Sequence, residues 1–494
     1  MASHAPRWPM VVVAACSAVA ACAGAGPIEH RDCWTPTLLD AGARCGLLTV
    51  PGSHDDPSRP SRQVAFAVKP ALDGSVGGND PVVLLIGGPG LAGTYYSEID
   101  GYDADDLDFL NEDRDVILVD YRGVGESHPL DCELSDDLAD CSAALIASGL
   151  APELRAATFA RDVDVLLETL GHDSVVLYGE SWGTRLALTI MRDVPGRISH
   201  VILDGVFPPE VGLRDDPVAA LANLDHIART CEERDACVRE LGDVRAKLMA
   251  LGERWKDREE AALLFAAIAA VGHFPAAPLL VHELWSREPD EAAAMAAQVY
   301  GWTHEVFEDS PIDQAESFLM AIAVICAEEA NLLAAHGPLD TSLYGLSGAT
   351  LETIVGHTFG APVSPEEAQA LCANLPVEAA PDLEVEPVFS PIRTLVLSGG
   401  MDMDTSFTWG ELAASRLAHA RHLVFPFSGH VTALGDLCAR SIAARFVRDP
   451  DGPLDTACHE ADVARSRDLV LAAGDVLAEI RRWIPTSLSV QSPG

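Results

Sequence analysis

The sequence predicts an α/β fold in which a mostly parallel central sheet is interrupted by an inserted helical cap. Three observations lead there. Short β-rich apolar runs alternate with helical periods up to about Val206. Residues 208–385 then become rich in Ala, Leu and Glu at helical spacing, with few strand signals. Strand signals resume at Thr394. The core therefore divides into 33–207 and 386–484, with 208–385 as the cap. The 494 residues are 48% hydrophobic, enough apolar material for a large core and far from a disordered composition.

In chain order, residues 1–26 come first. Arg7 precedes an apolar run from Met10 to Ala21, followed by small residues, which is a secretory signal pattern. Val19-Ala20-Ala21-Cys22 resembles the lipobox of bacterial lipoproteins, so 1–22 reads as a lipoprotein-type signal with Cys22 as the acylated residue. Val13-Ala14-Ala15-Cys16 fits the same pattern more loosely, and an ordinary cleaved signal is the alternative. Either implies export, with membrane attachment only through an N-terminal lipid. No other stretch is apolar enough to suggest a transmembrane span.

Residues 47–50 (LLTV) and 64–68 (VAFAV) read as a first hairpin. Residues 82–86, 116–119, 175–178, 201–203, 395–397 and 423–425 read as buried parallel strands. Residues 158–170 place Phe159, Val163, Leu166, Leu167 and Leu170 at helical spacing, and 181–192 form a second amphipathic helix. The Gly/Pro/Asp-rich pieces 51–60 and 73–81 are loops.

Charge narrows the partners. With 33 basic and 75 acidic residues the net charge is −42, which opposes binding to nucleic-acid phosphates or to anionic lipid through a basic face. Beyond Cys22 lie ten cysteines, without a CxxC motif or a histidine at metal-ligand spacing. In an exported chain these read as disulfides. Local pairing would join Cys33 to Cys45, Cys132 to Cys141, Cys231 to Cys237, Cys326 to Cys372 and Cys438 to Cys458, though sequence alone leaves the connectivity open.

The chemistry centres on Gly179-Glu180-Ser181-Trp182-Gly183. This G-x-S-x-G directly follows a predicted strand and opens a predicted helix, the context a nucleophile elbow requires. An unaided hydroxyl is a poor nucleophile at neutral pH, so Ser181 needs a base and an orienting acid. On such a fold they follow in the order acid, then histidine. Of the 16 histidines only His419, His422, His430 and His459 follow Asp402, and His430, just past the last strand, is the candidate base. Asp402 is the candidate acid, with Asp404 as the alternative and whichever is not the acid capping the loop. The oxyanion donors are the Trp182 N–H and, in Ile86-Gly87-Gly88-Pro89-Gly90, that of Gly88. No phosphate loop, dinucleotide fingerprint or metal constellation stands in a credible context, so no cofactor is expected.

Together these motifs resemble the proline iminopeptidase and secreted tripeptidyl aminopeptidase group of α/β-hydrolases. The match is carried by GGPG at 87–90, the D-x-R-G-x-G-x-S element at 120–127, GESWG at 179–183, Gly399-x-x-Asp402-x-x-Thr405 and Gly429-His430. Pro129-Leu130-Asp131-Cys132 and the late pair Cys438 and Cys458 are similar to the secreted branch. The chain departs from the group at Ile86, Met403, Ser406 and Val431, where His, Pro, Pro and Gly are often found. Asp120, Arg122 and Ser127 read as structural ties below the site. In the group, carboxylates of the cap bind the substrate's free α-amino group, and the resemblance offers Glu328 and Glu329 for this, a solvated acidic helix face being the alternative. The resemblance implies a serine exopeptidase that removes one or a few residues from peptide N-termini. The same triad serves an esterase, lipase or amidase on small acyl substrates.

Overall fold

The computed structural model describes residues 28–75, 79–98, 106–130, 132, 138–212, 216–255, 258, 260–270, 276–308, 316–335, 372–402, 404–464 and 477–478. The proposed signal and Cys22 lie outside them, as do 336–371 of the cap.

Among the described residues nine strands form one sheet: β1 (Ile28–Arg31), β2 (Arg44–Val50), β3 (Arg62–Lys69), β4 (Val82–Leu85), β5 (Val116–Val119), β6 (Val175–Glu180), β7 (Ile198–Asp204), β8 (Ser390–Gly399) and β9 (Leu417–Phe425). Their order is β1-β2-β3-β5-β4-β6-β7-β8-β9. The pairs β1–β2, β2–β3 and β3–β5 are antiparallel, and β5–β4 and every pair after it are parallel. β4, β5 and β6 are buried along their whole length, which explains why they read as unbroken apolar runs.

The edges are where sequence reading falls short. β1 is a four-residue, largely exposed strand whose IEHR pattern carries almost no apolar signal. β9 is nine residues long and half-buried for most of it, so only its last three residues announced it. His419 and His422 lie within this strand and not ahead of it.

The parallel strands end level with one another. Leu85 faces Gly179, Glu180 faces Asp204, Asp204 faces Leu397, and Gly399 faces Phe425. The loops that follow β4, β6, β7, β8 and β9 thus leave the sheet along one edge, where open α/β sheets hold their ligands.

Between β7 and β8 the described chain is helical, through Asp216–Glu232, Asp235–Leu241, Val244–Trp255, Ala261–Ala270, Ala277–Ser286, Pro289–Glu308 and Phe318–Ala335. Most of these helices share a second apolar core, separate from that of the sheet. Two residues from the sheet side enter it: Met401, just before Asp402, and Phe427, just before His430. The helix Phe318–Ala335 is different, since Leu319, Met320 and Cys326 belong to the sheet's core. No described helix is long and apolar enough to cross a membrane.

The ten described cysteines form the five local pairs, Cys33–Cys45, Cys132–Cys141, Cys231–Cys237, Cys326–Cys372 and Cys438–Cys458.

Candidate active site

Ser181 sits between β6 and the helix Trp182–Asp193 with φ 54° and ψ −127°. A non-glycine residue there carries strain of about 1–3 kcal/mol, which the surroundings must over-determine. They do so through close packing. Gly183 lies against the end of β4, where a Cβ would come 1.9 Å from the Leu85 carbonyl oxygen. The Ser181 N–H donates to Asp204 O at 3.0 Å, and its carbonyl accepts from Thr184 N and Oγ1 at 2.9 and 2.6 Å. The Ser181 side chain does not cap its helix, which leaves the hydroxyl for other work.

Trp182 is buried among Tyr121 and Phe159, their rings 5.3–6.2 Å apart. Tyr121 also donates its hydroxyl to Ile86 O at 3.2 Å, and so anchors the start of the glycine loop. Burial pushes the Tyr121 phenol well up, keeping it a donor. Gly87 is in contact with Ser181, since a Cβ on it would lie 2.7 Å from the serine Cβ. Gly88 has φ 111°, which only glycine adopts readily, and a Cβ there would meet Gly90 N at 2.6 Å. The far side of the loop is held from the cap, as Ser317 N donates to Gly90 O at 2.9 Å. The glycine loop, through Gly87, and the helix that Trp182 opens therefore both adjoin Ser181.

The acid and the imidazole meet directly. His430 Nδ1 lies 3.0 Å from both Asp402 oxygens. Asp402 is fully buried. Its Oδ1 accepts from the N–H groups of Asp404 and Thr405 at 2.9 and 2.8 Å, and its Oδ2 accepts from Thr405 Oγ1 at 2.7 Å. Asp404 is 3.8 Å from the same Nδ1 and 39% exposed. Burial alone would lower the His430 pKa, but Asp402 and Asp404 outweigh it and push the imidazole up, favouring its charged form. These three groups stand within 4.8 Å of one another. Asp402's oxygens are already filled by N–H and O–H donors, so the arrangement is that of an acid–base pair and no metal is assigned to it.

Gly205 joins the two halves. It follows Asp204, whose carbonyl holds Ser181 N, and a Cβ on it would come 3.2 Å from His430 Cε1. Asp204 itself was not singled out in the sequence, where it looks like an ordinary strand end. Its buried carboxylate accepts from Thr432 N, Ala433 N and Tyr178 Oη at 2.7–2.9 Å, clamping the turn after His430. Burial is the first cause of its pKa being raised to about 6. Val431 in that turn has φ 49°, a β-branched residue in left-handed backbone. This gives a physical reason for the glycine that often stands there in similar proteins. From the cap, His226 Nε2 lies 2.9 Å from Pro426 O, bracing the same loop.

The ties below the site are structural. Asp120 accepts from Thr94 N and Oγ1 and from Glu126 N, and Ser127 Oγ donates to Asp120 O. Arg122 makes a two-pronged pair with Asp162 at 2.6 and 2.7 Å and donates to Pro51 O and Gly52 O.

Glu328 and Glu329 do not form a solvated helix face. The sequence reading offered them to a substrate ammonium or to solvent, and the structure gives them to Arg185. Both are buried, at 3% and 1% exposure, and stand 3.5 and 3.4 Å from its guanidinium. Glu328 also accepts from Ala156 N at 2.6 Å, at the start of the helix Ala156–Leu170. Arg185 belongs to the elbow helix and donates onward to Pro209 O and Val211 O. The cluster locks the helix Phe318–Ala335 onto the core. Replacing Arg185 by Met would strand two buried carboxylates, so a loss of about 3–5 kcal/mol in stability is expected in denaturant unfolding. A loss below about 1 kcal/mol, the range of an exposed pair, would show that the cluster is hydrated.

An elbow serine, a buried Asp–His pair on the loops after β8 and β9, and a glycine loop beside the serine define a hydrolase of the serine type of architecture. The chain belongs to the α/β-hydrolase family, whose model, described as the alpha/beta hydrolase fold, matches residues 80–436. It is similar to serine protease Hip1 of Mycobacterium tuberculosis (26% identical over 224 residues, 39% of this chain and 41% of that protein). It is also similar to the tripeptidyl aminopeptidase of Streptomyces lividans (25% over 256 residues, 45% of each) and the proline iminopeptidase of Neisseria gonorrhoeae (28% over 128 residues, 26% and 33%). The match therefore spans less than half the length of these relatives. Among solved structures, the proline iminopeptidase of Mycobacterium smegmatis aligns at a TM-score of 0.38 and 19% identity, covering 82% of this chain and 98% of that one.

Proposed function

We propose that this chain is an exported serine aminopeptidase that releases one or a few residues from peptide N-termini through an acyl-enzyme. The observation that carries the hydrolytic part is His430 bonded through Nδ1 to the buried Asp402, on the same sheet edge as the Ser181 elbow. In acylation, Ser181 Oγ forms a bond to the substrate carbonyl carbon while His430 Nε2 takes its proton. The N–H groups of Trp182 and Gly88 receive the oxyanion. The intermediate collapses as the imidazolium returns the proton to the leaving amine and the C–N bond breaks. Water then attacks the acyl-enzyme with His430 again as base. Asp402 orients the imidazole and stabilises its charged form.

The peptidase part is supported by the names of the three relatives, and the five disulfides support an extracytoplasmic location. Attachment through an acylated Cys22 completes the proposal. An esterase or amidase on small acyl groups is the second reading. Glu328 and Glu329 stand against Arg185 as a buried cluster, so the amine requirement is the point to test.

Aminoacyl- and peptidyl-anilides with free and acetylated N-termini, assayed beside short-chain esters, separate the readings. The proposal expects acetylation to lower kcat/KM by about tenfold or more, a loss of at least about 1.4 kcal/mol of transition-state binding. Equal rates on free and blocked substrates, with faster ester turnover, would replace it with the esterase reading.

A further inference from the structure

The turn that carries Asp402 brings a second carboxylate to the same imidazole nitrogen. Asp404 Oδ2 is 3.8 Å from His430 Nδ1, while the nearer Asp402 contacts that nitrogen with both oxygens. The position is built. The Asp404 N–H donates to Asp402 Oδ1, which folds the turn so that both carboxylates approach Nδ1. Among the described residues the N–H groups of 404 and 405 both go to Asp402, which leaves Asp404 without a loop-capping bond there. The two acids also differ in surroundings, one fully buried and the other 39% exposed.

We propose that Asp404 is an auxiliary acid of the triad, acting through His430 to load its imidazolium form and to set the pH range of the reaction. It is a positioning charge and does not touch substrate. The inference rests on the proposed serine-hydrolase reading. The charged groups facing His430 are Asp402 and Asp404 from the loop after β8 and Asp204 from the end of β7. Asp402 and Asp204 are already satisfied by several donors each, so Asp404 is the one whose charge can be removed without opening a hydrogen-bonded turn.

The sign follows from the base role. Neutral imidazole takes the serine proton, so the rate rises with pH through the imidazole pKa. Asp404 favours imidazolium and moves that limb upward. Its own pKa is raised, by partial desolvation at the site and by the neighbouring Asp402 against the pull of His430, yet it stays charged through the neutral and alkaline range. The same attraction stabilises the imidazolium of the transition state. Removing the charge therefore shifts the limb to lower pH and lowers the plateau above it. A charge near 4 Å, screened much as in water, is worth about 1 pH unit, or up to about tenfold on the plateau. On the acid limb the two effects oppose each other, so the profiles converge at low pH and separate above it.

The test is the pH dependence of the rate constant for inactivation by a fluorophosphonate, which needs no knowledge of the substrate. It compares wild type, Asp404→Asn and Asp404→Lys, with Ser181→Ala as the blank and circular dichroism to confirm folding. The expected result is a limb lowered by about 1 unit in Asn and further in Lys. Should the Asn variant misfold, the Lys variant is read in its place. A limb that stays in place in folded variants overturns the inference. So does a folded Asn variant that reacts at no pH, since Asp404 would then be the essential acid. Wild type that does not react, or reaction that survives Ser181→Ala, would instead overturn the serine-hydrolase reading itself.

Discussion

Ser181→Ala is expected to abolish hydrolysis while leaving the protein folded. The hydroxyl makes no cap bond to the helix it precedes, so its removal takes nothing from that helix. The backbone strain at φ 54° is set by Gly183 against Leu85 and by the Ser181 N–H to Asp204 O, and an alanine inherits the same constraints. Stability should therefore change by no more than about 0.5 kcal/mol. Catalysis has no such substitute, because the acyl-enzyme is formed on this oxygen. A fall in kcat on the order of 10⁴–10⁶ is expected, with residual turnover from the oxyanion donors and substrate binding alone. His430→Ala should lose a comparable factor, and the double variant little more, because nucleophile and base work as a unit. Melting curves and initial rates on the best anilide or ester check both halves. Turnover within about tenfold of wild type would remove Ser181 from the mechanism.

Legibility in the sequence tracked the range of the interactions. The elbow was readable because its requirements are local: a buried strand, a tight glycine turn and an amphipathic helix within about twenty residues. Asp402 and His430 were readable because each follows an apolar strand at a fixed short distance, and the level strand ends convert that into proximity. Four of the five cystines close 6 to 20 residues of chain and Cys326–Cys372 closes 46, and pairing of neighbours in the sequence describes them all. Arg185 with Glu328 and Glu329 is the opposite case. The partners stand more than 140 residues apart, and nothing near either segment reveals that a buried guanidinium waits for the acidic pair. A double carboxylate in an apolar helix signals burial with a cation. Whether that cation is a substrate amine or an arginine is decided by tertiary contact alone. Asp204 was hidden for a similar reason, because its role depends on Thr432 and Ala433, which reach it only after β8 and β9 have formed. The intrusion of Met401 and Phe427 into the cap's core was also beyond sequence reading, and it ties the acid and base loops to the packing of the helical insertion.

Asp402→Asn is expected to be the most damaging change that leaves the shape of the site intact. The hydrogen bonds determine how an asparagine must sit. Asp402 Oδ1 accepts two backbone N–H groups, of Asp404 and Thr405, which cannot turn into acceptors. The amide oxygen of Asn must therefore take that place, and its NH₂ takes the place of Oδ2. Thr405 Oγ1, now 2.7 Å from Oδ2, can rotate its hydroxyl and accept. His430 Nδ1, 3.0 Å from the same oxygen, can also accept, and then its proton resides on Nε2. That is the wrong tautomer for taking the serine proton, and the stabilising carboxylate charge is lost as well. A fall in kcat of roughly 10³–10⁴ at neutral pH is expected, with KM changed much less. Asp404→Asn lacks this tautomer effect, because the nearer contact to Nδ1 and both backbone donors remain with Asp402. Its loss should stay within about tenfold at the plateau. Steady-state kinetics of the two variants side by side therefore test the assignment directly. If Asp404→Asn shows the thousandfold loss and Asp402→Asn the small one, the roles of the two carboxylates are exchanged.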